Sequence, residues 1–142
     1  MSLRIVIGSW EQQRHAAAAL RQQVFVVEQG VPAELELDEM DARSLHAVAY
    51  QDGVPVATGR LLPDGHIGRM AVRQDARGEG TGSLVLCALM DEARRRGDRD
   101  VVLHAQLGAR DFYARHGFEP EGEVFMDAGI EHIAMRRRFS PG

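Results

Sequence analysis

Read for apolar periodicity, the chain opens with Leu3-Arg4-Ile5-Val6-Ile7, a run of strand type, and passes straight into Ser9-Trp10-Glu11-Gln12. Ser followed three positions later by Gln has capping-box spacing, so these residues are expected to start an alanine-rich helix running towards Val24. Between Val26 and Arg43 regularity is lost. Gly30, Pro32 and five acids (Glu34, Glu36, Asp38, Glu39, Asp41) predict an irregular stretch with one short helix that could overlie a site. Three short runs follow, His46–Gln51, Val54–Leu62 and His66–Val72, divided by Asp52-Gly53 and Pro63-Asp64-Gly65. Such punctuation predicts an antiparallel meander.

After Arg73 the pattern changes to a glycine-rich loop, Arg77-Gly78-Glu79-Gly80-Thr81-Gly82, and then to a helical run that ends in Arg94-Arg95-Arg96-Gly97. At 100° per residue this helix gathers Gly82, Val85, Leu86, Leu89, Met90 and Ala93 on one face. Gly82 near the middle of that face would let the first turn approach the sheet. Cys87, at its border, reads as a packing residue. Val101–Ala105 is a short strand, Leu107–His116 a helix stopped by Gly117, and Val124–Met126, Asp127-Ala128-Gly129 and Ile130–Arg137 form a closing hairpin. The predicted class is α+β, a mixed sheet flanked by helices.

Composition narrows the function classes. The 142 residues are 44% hydrophobic and 27% charged, without repeats or low-complexity segments, which fits one domain over residues 1–142. A single cysteine makes no internal bridge and the N-terminus has no secretory pattern, so a cytoplasmic protein is expected. The longest apolar runs fall far short of the ~18 residues of a membrane span. A formal charge of −4 argues against nucleic acid as a partner. All 17 basic residues are Arg, which removes Schiff-base chemistry and the P-loop lysine. The Arg94–Arg96 and Arg136–Arg138 runs read as solvated element ends. None of the six histidines has metal-ligand spacing, so no metal is expected.

A strand, a glycine-rich loop and a helix together make an anion cradle, because the unpaired N–H groups of the first turn and the positive end of the helix dipole coincide. The stretch Met70-Ala71-Val72-Arg73-Gln74-Asp75-Ala76-Arg77-Gly78-Glu79-Gly80-Thr81-Gly82 resembles the acetyl-CoA signature of the GNAT superfamily of N-acetyltransferases, with Arg77, Gly80 and Gly82 at the signature positions. A second block, Gln106 to Phe118 with Phe112-Tyr113 ahead of Gly117-Phe118, is similar to that family's later motif. The resemblance extends from about Leu20 to Arg137. Within the superfamily, Phe25–Gln29, Ile67-Gly68-Arg69 and Gly129–Ile133 look most like the ElaA-like subgroup.

This resemblance implies a GNAT fold, mostly antiparallel and twisted, whose central strands splay to admit acetyl-CoA. Backbone groups of Met70, Ala71 and Val72 would pair with the pantetheine amides as an added strand. The loop from Arg77 through Gly78, Glu79, Gly80 and Thr81 to Gly82 would hold the pyrophosphate, with the Arg77 guanidinium as a charged donor. Glu79 departs from the basic residue frequent at its position and must point to solvent. Gln106 stands where relatives often have Asn and would meet the pantetheine arm. The reaction would be direct attack of a primary amine, of a small molecule or a peptide, on the thioester, with an N–H near Ala71 or Val72 facing the developing oxyanion. Tyr113 is the candidate acid for the leaving thiolate; its other reading is an aromatic anchor. Glu28 and His132 are the candidates for the base and the acceptor pocket, and each reads equally as a hydrogen-bonded structural group. His46 and His104 rank below them, and His15, His66 and His116 are expected at surfaces or element ends.

Three matters stay open on the sequence. The acids of Glu34–Asp41 either attract a cationic acceptor or form a solvated loop. The domain either turns over or is a non-catalytic acyl-CoA-binding or interaction module, and a synthase using a longer acyl carrier is a third reading. A homodimer is compatible with exposed strands in the C-terminal hairpin.

Overall fold

In the computed structural model, which describes residues 2–139 apart from the side chains of Glu34 and Leu35, strand β1 (Leu3–Gly8) leads into helix α1 (Trp10–Arg21) through the expected capping box. The Gln12 amide N–H donates to Ser9 Oγ at 3.2 Å and the Ser9 N–H donates to Gln12 Oε1 at 3.0 Å. Arg21 does not end the helical path. The backbone continues as a π-helix over Gln22–Glu28, so the helix outruns the expected stop near Val24 with a widened turn. A short α2 (Ala33–Glu36) and a 3₁₀ turn (Glu39–Arg43) follow.

Strands β2 (Leu45–Gln51), β3 (Val54–Leu61) and β4 (His66–Val72) form the antiparallel meander read from the turn residues. Helix α3 (Thr81–Arg95) crosses from β4 to the parallel strand β5 (Asp100–Gln106). Such a crossover needs a connection of this length. A 3₁₀ turn (Leu107–Ala109) and α4 (Arg110–Arg115) then lead to β6 (Glu119–Asp127) and β7 (Ile130–Arg138), giving the strand order β1-β2-β3-β4-β5-β7-β6.

Alternation along the strands sorts the two faces. Ala47 and Ala49 of β2, with Val101, Leu103 and Ala105 of β5, are buried in the core that α3 closes through Val85, Leu86, Leu89 and Met90. On the opposite face Val48 packs against Ala17 and Leu20 of α1. Gly82 departs from its expected place at the middle of the α3 face: it is half-buried at the rim, and Thr81 is buried instead.

The register between β3 and β4 carries the feature that shapes the rest. Thr58 pairs with Ala71 and Arg60 with Gly68, so Gly59 alone stands opposite both Arg69 and Met70. This is a β-bulge, and Arg69 within it has φ +48°. A Cβ on Gly59 would lie 2.5 Å from Met70 Sδ and 2.9 Å from Leu89 Cδ1, so only glycine lets the bulge and α3 pack there. Beyond the bulge β4 leaves its parallel neighbour. Pairing with β5 is confined to His66↔Val102 and Ile67↔Leu103, and the two strands splay apart.

Within the acidic stretch Glu39 is exposed, in keeping with the solvated reading, while Glu36, Asp38 and Asp41 are held by arginines. Arg21, 1% exposed, donates its Nε to Glu36 and its Nη1 to Asp41 Oδ1 at 2.7 Å. Arg60 donates to Asp38 at 2.7 Å and to Asp41 at 2.9 Å, and Arg69 donates to the Glu36 carbonyl at 2.9 Å and to Asp38 at 3.3 Å. His46 Nε2 lies 2.8 Å from the Asp41 carbonyl, so it is the protonated nitrogen of the ring. Three acids are thus matched by three arginines from α1, β3 and β4. Glu34, whose side chain lies outside the described residues, takes no part in this account.

The Arg60 guanidinium holds Asp38 below the ordinary carboxylate range, while burial pushes Asp41 up and Arg21 and Arg60 together outweigh it. Burial likewise lowers His46. All three depressed values favour the folded state above the unfolded pKa and lose that contribution on acidification, His46 below about 6.5 and the carboxylates below about 4. Replacing Arg21 by Met takes the hydrogen-bonded cation from buried Glu36 and leaves buried Asp41 with Arg60 alone, and is expected to lower stability by about 3–5 kcal/mol in urea titrations at pH 7. The deficit should shrink as the pH approaches 4. A loss under about 1 kcal/mol at pH 7 would show that the network is not a stabilising element.

Candidate active site

The splay divides the space between β4 and β5 into two cavities that meet at Gln29, Met70, Ala109 and Tyr113. One, of about 560 Å³, lies on the α3 side and is lined by Val72, Gly78, Gly80 and Ser83 among others. Its floor is the glycine loop. Gly78 (φ +82°) and Gly80 (φ +81°) both adopt the left-handed conformation, and an added Cβ would meet nothing within 4 Å at either, so the requirement is conformational rather than one of space. Gly80 caps α3 without a side-chain bond, and the first helical hydrogen bond, Leu84 N–H to Gly80 carbonyl, is 3.2 Å. The N–H groups of Thr81, Gly82 and Ser83 therefore have no partner within the helix. Glu79 is exposed, lies outside the cavity lining and caps none of them. The start of α3 comes close to β4: a Cβ on Gly82 would sit 3.3 Å from Val72 Cγ2.

The strand edge is equally prepared. The Arg73 N–H donates to the Val56 carbonyl at 2.8 Å, and Ala71 pairs with Thr58, so alternation turns Ala71 towards β3 and Met70 and Val72 towards the gap. Of the gap-facing groups, the Val72 carbonyl accepts from Arg77 Nε at 2.9 Å. A chain carrying amides, laid along this edge, would meet the backbone groups of Met70 and Val72; Ala71, expected to share that role, faces the other way.

Arg77 and Glu28 correct the sequence reading together. Both terminal guanidinium nitrogens of Arg77 donate to the two Glu28 carboxylate oxygens at 2.7 Å. Glu28 is exposed and lines neither cavity, so it does not stand on a buried face or in an acceptor pocket. Hydrogen bonding to Arg77 lowers the Glu28 pKa, and Glu28 in turn raises that of Arg77. A separation of 49 residues gave no local signal of this pair.

Tyr113 is buried where the cavities join, its ring edge-on to Phe112 at 5.0 Å and to Phe118 at 5.9 Å. Burial pushes its hydroxyl up to about 12. Among the described residues the hydroxyl has no hydrogen-bond partner, so the ring serves as an anchor while the polar end remains available. Gln106 does not stand open: its Nε2 donates to Gln29 Oε1 at 2.9 Å, and Gln29 returns a longer bond of 3.4 Å.

The second cavity, of about 380 Å³, is on the α1 side, with Phe25, Arg69, Asp127 and three histidines in its wall. His132 Nδ1 is 2.7 Å from the Ile130 carbonyl. A carbonyl only accepts, so Nδ1 carries the proton and Nε2 of the neutral ring keeps its lone pair. His104 meets His66 edge-on at 5.8 Å and Phe125 at 5.2 Å, and Phe125 stacks on His132 at 5.9 Å. Burial lowers the His104 pKa, and the neighbouring His66 and His132 add to the effect. His66 does begin a strand, as expected of an element end, yet it faces this cavity beside His104. The parallel β4–β5 register brings them together, and nothing local in the sequence announces it.

A splayed strand pair, a glycine loop feeding an open helix start and a tyrosine at the junction are the features of a GNAT fold. The chain belongs to that family: residues 11–139 match the acetyltransferase (GNAT) domain. It is 38% identical over 139 residues to the N-acetyltransferase YjcF of Bacillus subtilis (strain 168), itself uncharacterised, covering 95% of this chain and 99% of that one. Among solved structures it is similar to an acyl-CoA N-acyltransferase from Pseudomonas aeruginosa, with 34% identity, TM-score 0.85 and coverage of 96% and 99% of the two chains. Escherichia coli ElaA is similar at 28% identity and TM-score 0.85, over 97% and 100%. Among the described residues no helix is long and apolar enough to cross a membrane, and no group of three or more His, Cys, Asp or Glu is placed to hold a metal ion.

The pairing with Arg77 separates two roles for Glu28. Glu28→Gln removes an anion beside the glycine loop, so it is expected to lower the KM for acetyl-CoA at low salt and to leave kcat within about threefold. A fall of about 10²-fold or more in kcat, with KM unchanged, would make Glu28 the base after all.

Proposed function

We propose that this protein transfers the acetyl group of acetyl-CoA to a primary amine, borne by a small molecule or a peptide, by direct attack and without a covalent enzyme intermediate. The observation that carries this reading is the early end of the β4–β5 pairing, which leaves two cavities meeting at Tyr113. The family and its N-acetyltransferase relatives support the acetyl donor. The uncapped N–H groups at the start of α3 suit the diphosphate, helped by the helix dipole. The gap-facing backbone of Met70 and Val72 suits the pantetheine amides, while Gln106, which keeps one N–H and one lone pair beyond its paired bonds with Gln29, would meet that arm.

Bound acetyl-CoA supplies an activated carbonyl and a thiolate leaving group; the rest of the chemistry falls to side chains. An amine entering from the smaller cavity must lose a proton, and His132, which lines that cavity and whose Nδ1 is engaged by the Ile130 carbonyl, would accept it at Nε2. Tyr113, kept protonated by burial, donates a hydrogen bond to the departing sulfur. Full proton transfer from a phenol near 12 to a thiolate whose acid has a pKa of about 8.5 is uphill by roughly 3–4 units. Tyr113 therefore stabilises charge as it develops, and the proton taken from the amine balances the one the thiolate finally acquires.

Glu36, Asp38 and Asp41 are matched by arginines, so the charge of these three acids is not free to draw a cationic acceptor. Asp127 and the histidine wall define its surroundings. A panel of primary amines incubated with acetyl-CoA, followed by thiol release and mass spectrometry, should give one acetyl gained on a defined amine. Tyr113→Phe and His132→Gln are each expected to reduce kcat by about 10²- to 10⁴-fold while CoA still binds. CoA binding without amine-dependent thiol release, unaltered by Tyr113→Phe, would identify a non-catalytic acyl-CoA-binding module.

A further inference from the structure

Ser83, the third residue of α3, lines the larger cavity next to the open N–H groups, and its Oγ lies 2.9 Å from His116 Nε2. His116 caps the end of α4, and its ring is held edge-on to Phe112 at 5.1 Å. Its surroundings are cationic. Arg115 on the same helix lines the same cavity, and Arg137 of β7 donates to the His116 carbonyl at 2.9 Å. These two arginines are the charged groups that act on the ring.

A hydroxyl between a ring nitrogen and a cavity has two orientations. With Nε2 unprotonated, Ser83 O–H donates to the ring and turns its lone pairs outwards, which repels an anion. With Nε2 protonated, the ring donates to Ser83 Oγ and the hydroxyl proton is free to point into the cavity. Phosphate oxygens only accept, so an occupied site selects the second arrangement, and a doubly protonated ring secures it with an added positive charge.

We propose that Ser83 and His116 form a proton-coupled contact for the diphosphate of CoA, in which His116 takes up a proton on binding and aims the Ser83 hydroxyl at the anion. This rests on the placement of CoA in the larger cavity given above. In the empty protein, burial foremost and then Arg115 and Arg137 hold His116 below its ordinary value, so it is mostly neutral near pH 7. The diphosphate opposes those arginines and raises it. A pKa higher in the complex than in the free protein means that affinity gains as the pH falls, and that the gain is lost as the pH rises through the value in the complex.

Calorimetric titration of the whole protein with CoA, in two buffers of different ionisation enthalpy, counts the protons taken up. The 3′-phosphate of CoA itself titrates near pH 6, so the readout is the difference between wild type and His116→Gln, in which the amide still donates to Ser83 but cannot titrate. Wild type is expected to take up more protons at pH 6.5, and its affinity advantage should grow several-fold between pH 8 and pH 6, roughly tenfold per unit of pKa shift. The His116 ring proton in NMR titrations should report a higher pKa with CoA than without. Equal proton uptake in the two proteins with an unshifted His116 resonance overturns this inference and leaves the acetyltransferase reading intact. Wild type giving no CoA binding at any pH overturns the acetyltransferase reading itself.

Discussion

The early end of the pairing between β4 and β5 is the constraint on which the rest of the molecule depends. Parallel neighbours ordinarily exchange hydrogen bonds along their whole length, and an unpaired backbone group away from water costs about as much as a lost hydrogen bond. Here only two registers form before the strands diverge. The divergence is held open by the bulge opposite Gly59, and the bulge needs Arg69 in a left-handed conformation that typically costs about 1–3 kcal/mol outside glycine. Arg69 is anchored by the Glu36 carbonyl and the Asp38 carboxylate, the same acids that meet Arg21 and Arg60. The buried ionic network under α1 therefore does more than join α1 to the sheet: it pins the strand irregularity that makes the cleft.

For a protein of formal charge −4 to bind a polyanion such as CoA, as proposed, it must concentrate its attraction locally. The arginine of the glycine-loop signature would be the obvious source, yet both its terminal nitrogens are engaged by Glu28 and its Nε holds the Val72 carbonyl. Arg77 thus acts as a brace between the end of the π-helix and the edge of β4, and the uncharged N–H groups at the start of α3 face the cavity. This division has a physical advantage. Amides fixed by the helix need no reorganisation when an anion arrives, whereas a mobile guanidinium must be ordered to contribute.

Much of the fold was legible because its signals are local. The capping box at Ser9, the strands punctuated by Asp52-Gly53 and Pro63–Gly65, and the apolar face of α3 each depend on residues a few positions apart. The β6 strand was read only from Val124, because Glu119-Pro120-Glu121-Gly122-Glu123 has neither alternation nor β propensity; it pairs with β7 from Glu119 through an irregular register. The tip of that hairpin shows the same limit, since Ala128 as well as Gly129 has positive φ. In the site, the glycine loop and Tyr113 could be read from motifs, while the Glu28–Arg77 pair, the Gln29–Gln106 pair and the gathering of His66, His104 and His132 depend on topology. Alternation did flag His132, because a histidine between Ile130 and Ala134 is out of pattern. Glu28 was singled out because it follows the apolar run Phe25–Val27, which implied a buried face, whereas the widened π turn leaves that carboxylate exposed.

That π turn has a consequence at the junction of the two cavities. Glu28 and Gln29 are consecutive, yet one reaches the glycine loop through Arg77 and the other reaches the end of β5 through Gln106. The same segment supplies Val24 to the larger cavity and Phe25 to the smaller. A single helical segment therefore fixes the separation between the cradle on one strand and the amide pair on the other. With β4 and β5 unpaired along this stretch, their spacing is not set by a hydrogen-bonded ladder and must be set by what bridges them. The π-helix and its two polar contacts supply that bridge, and the width of the junction beside Tyr113 follows from the position in which they hold the strands.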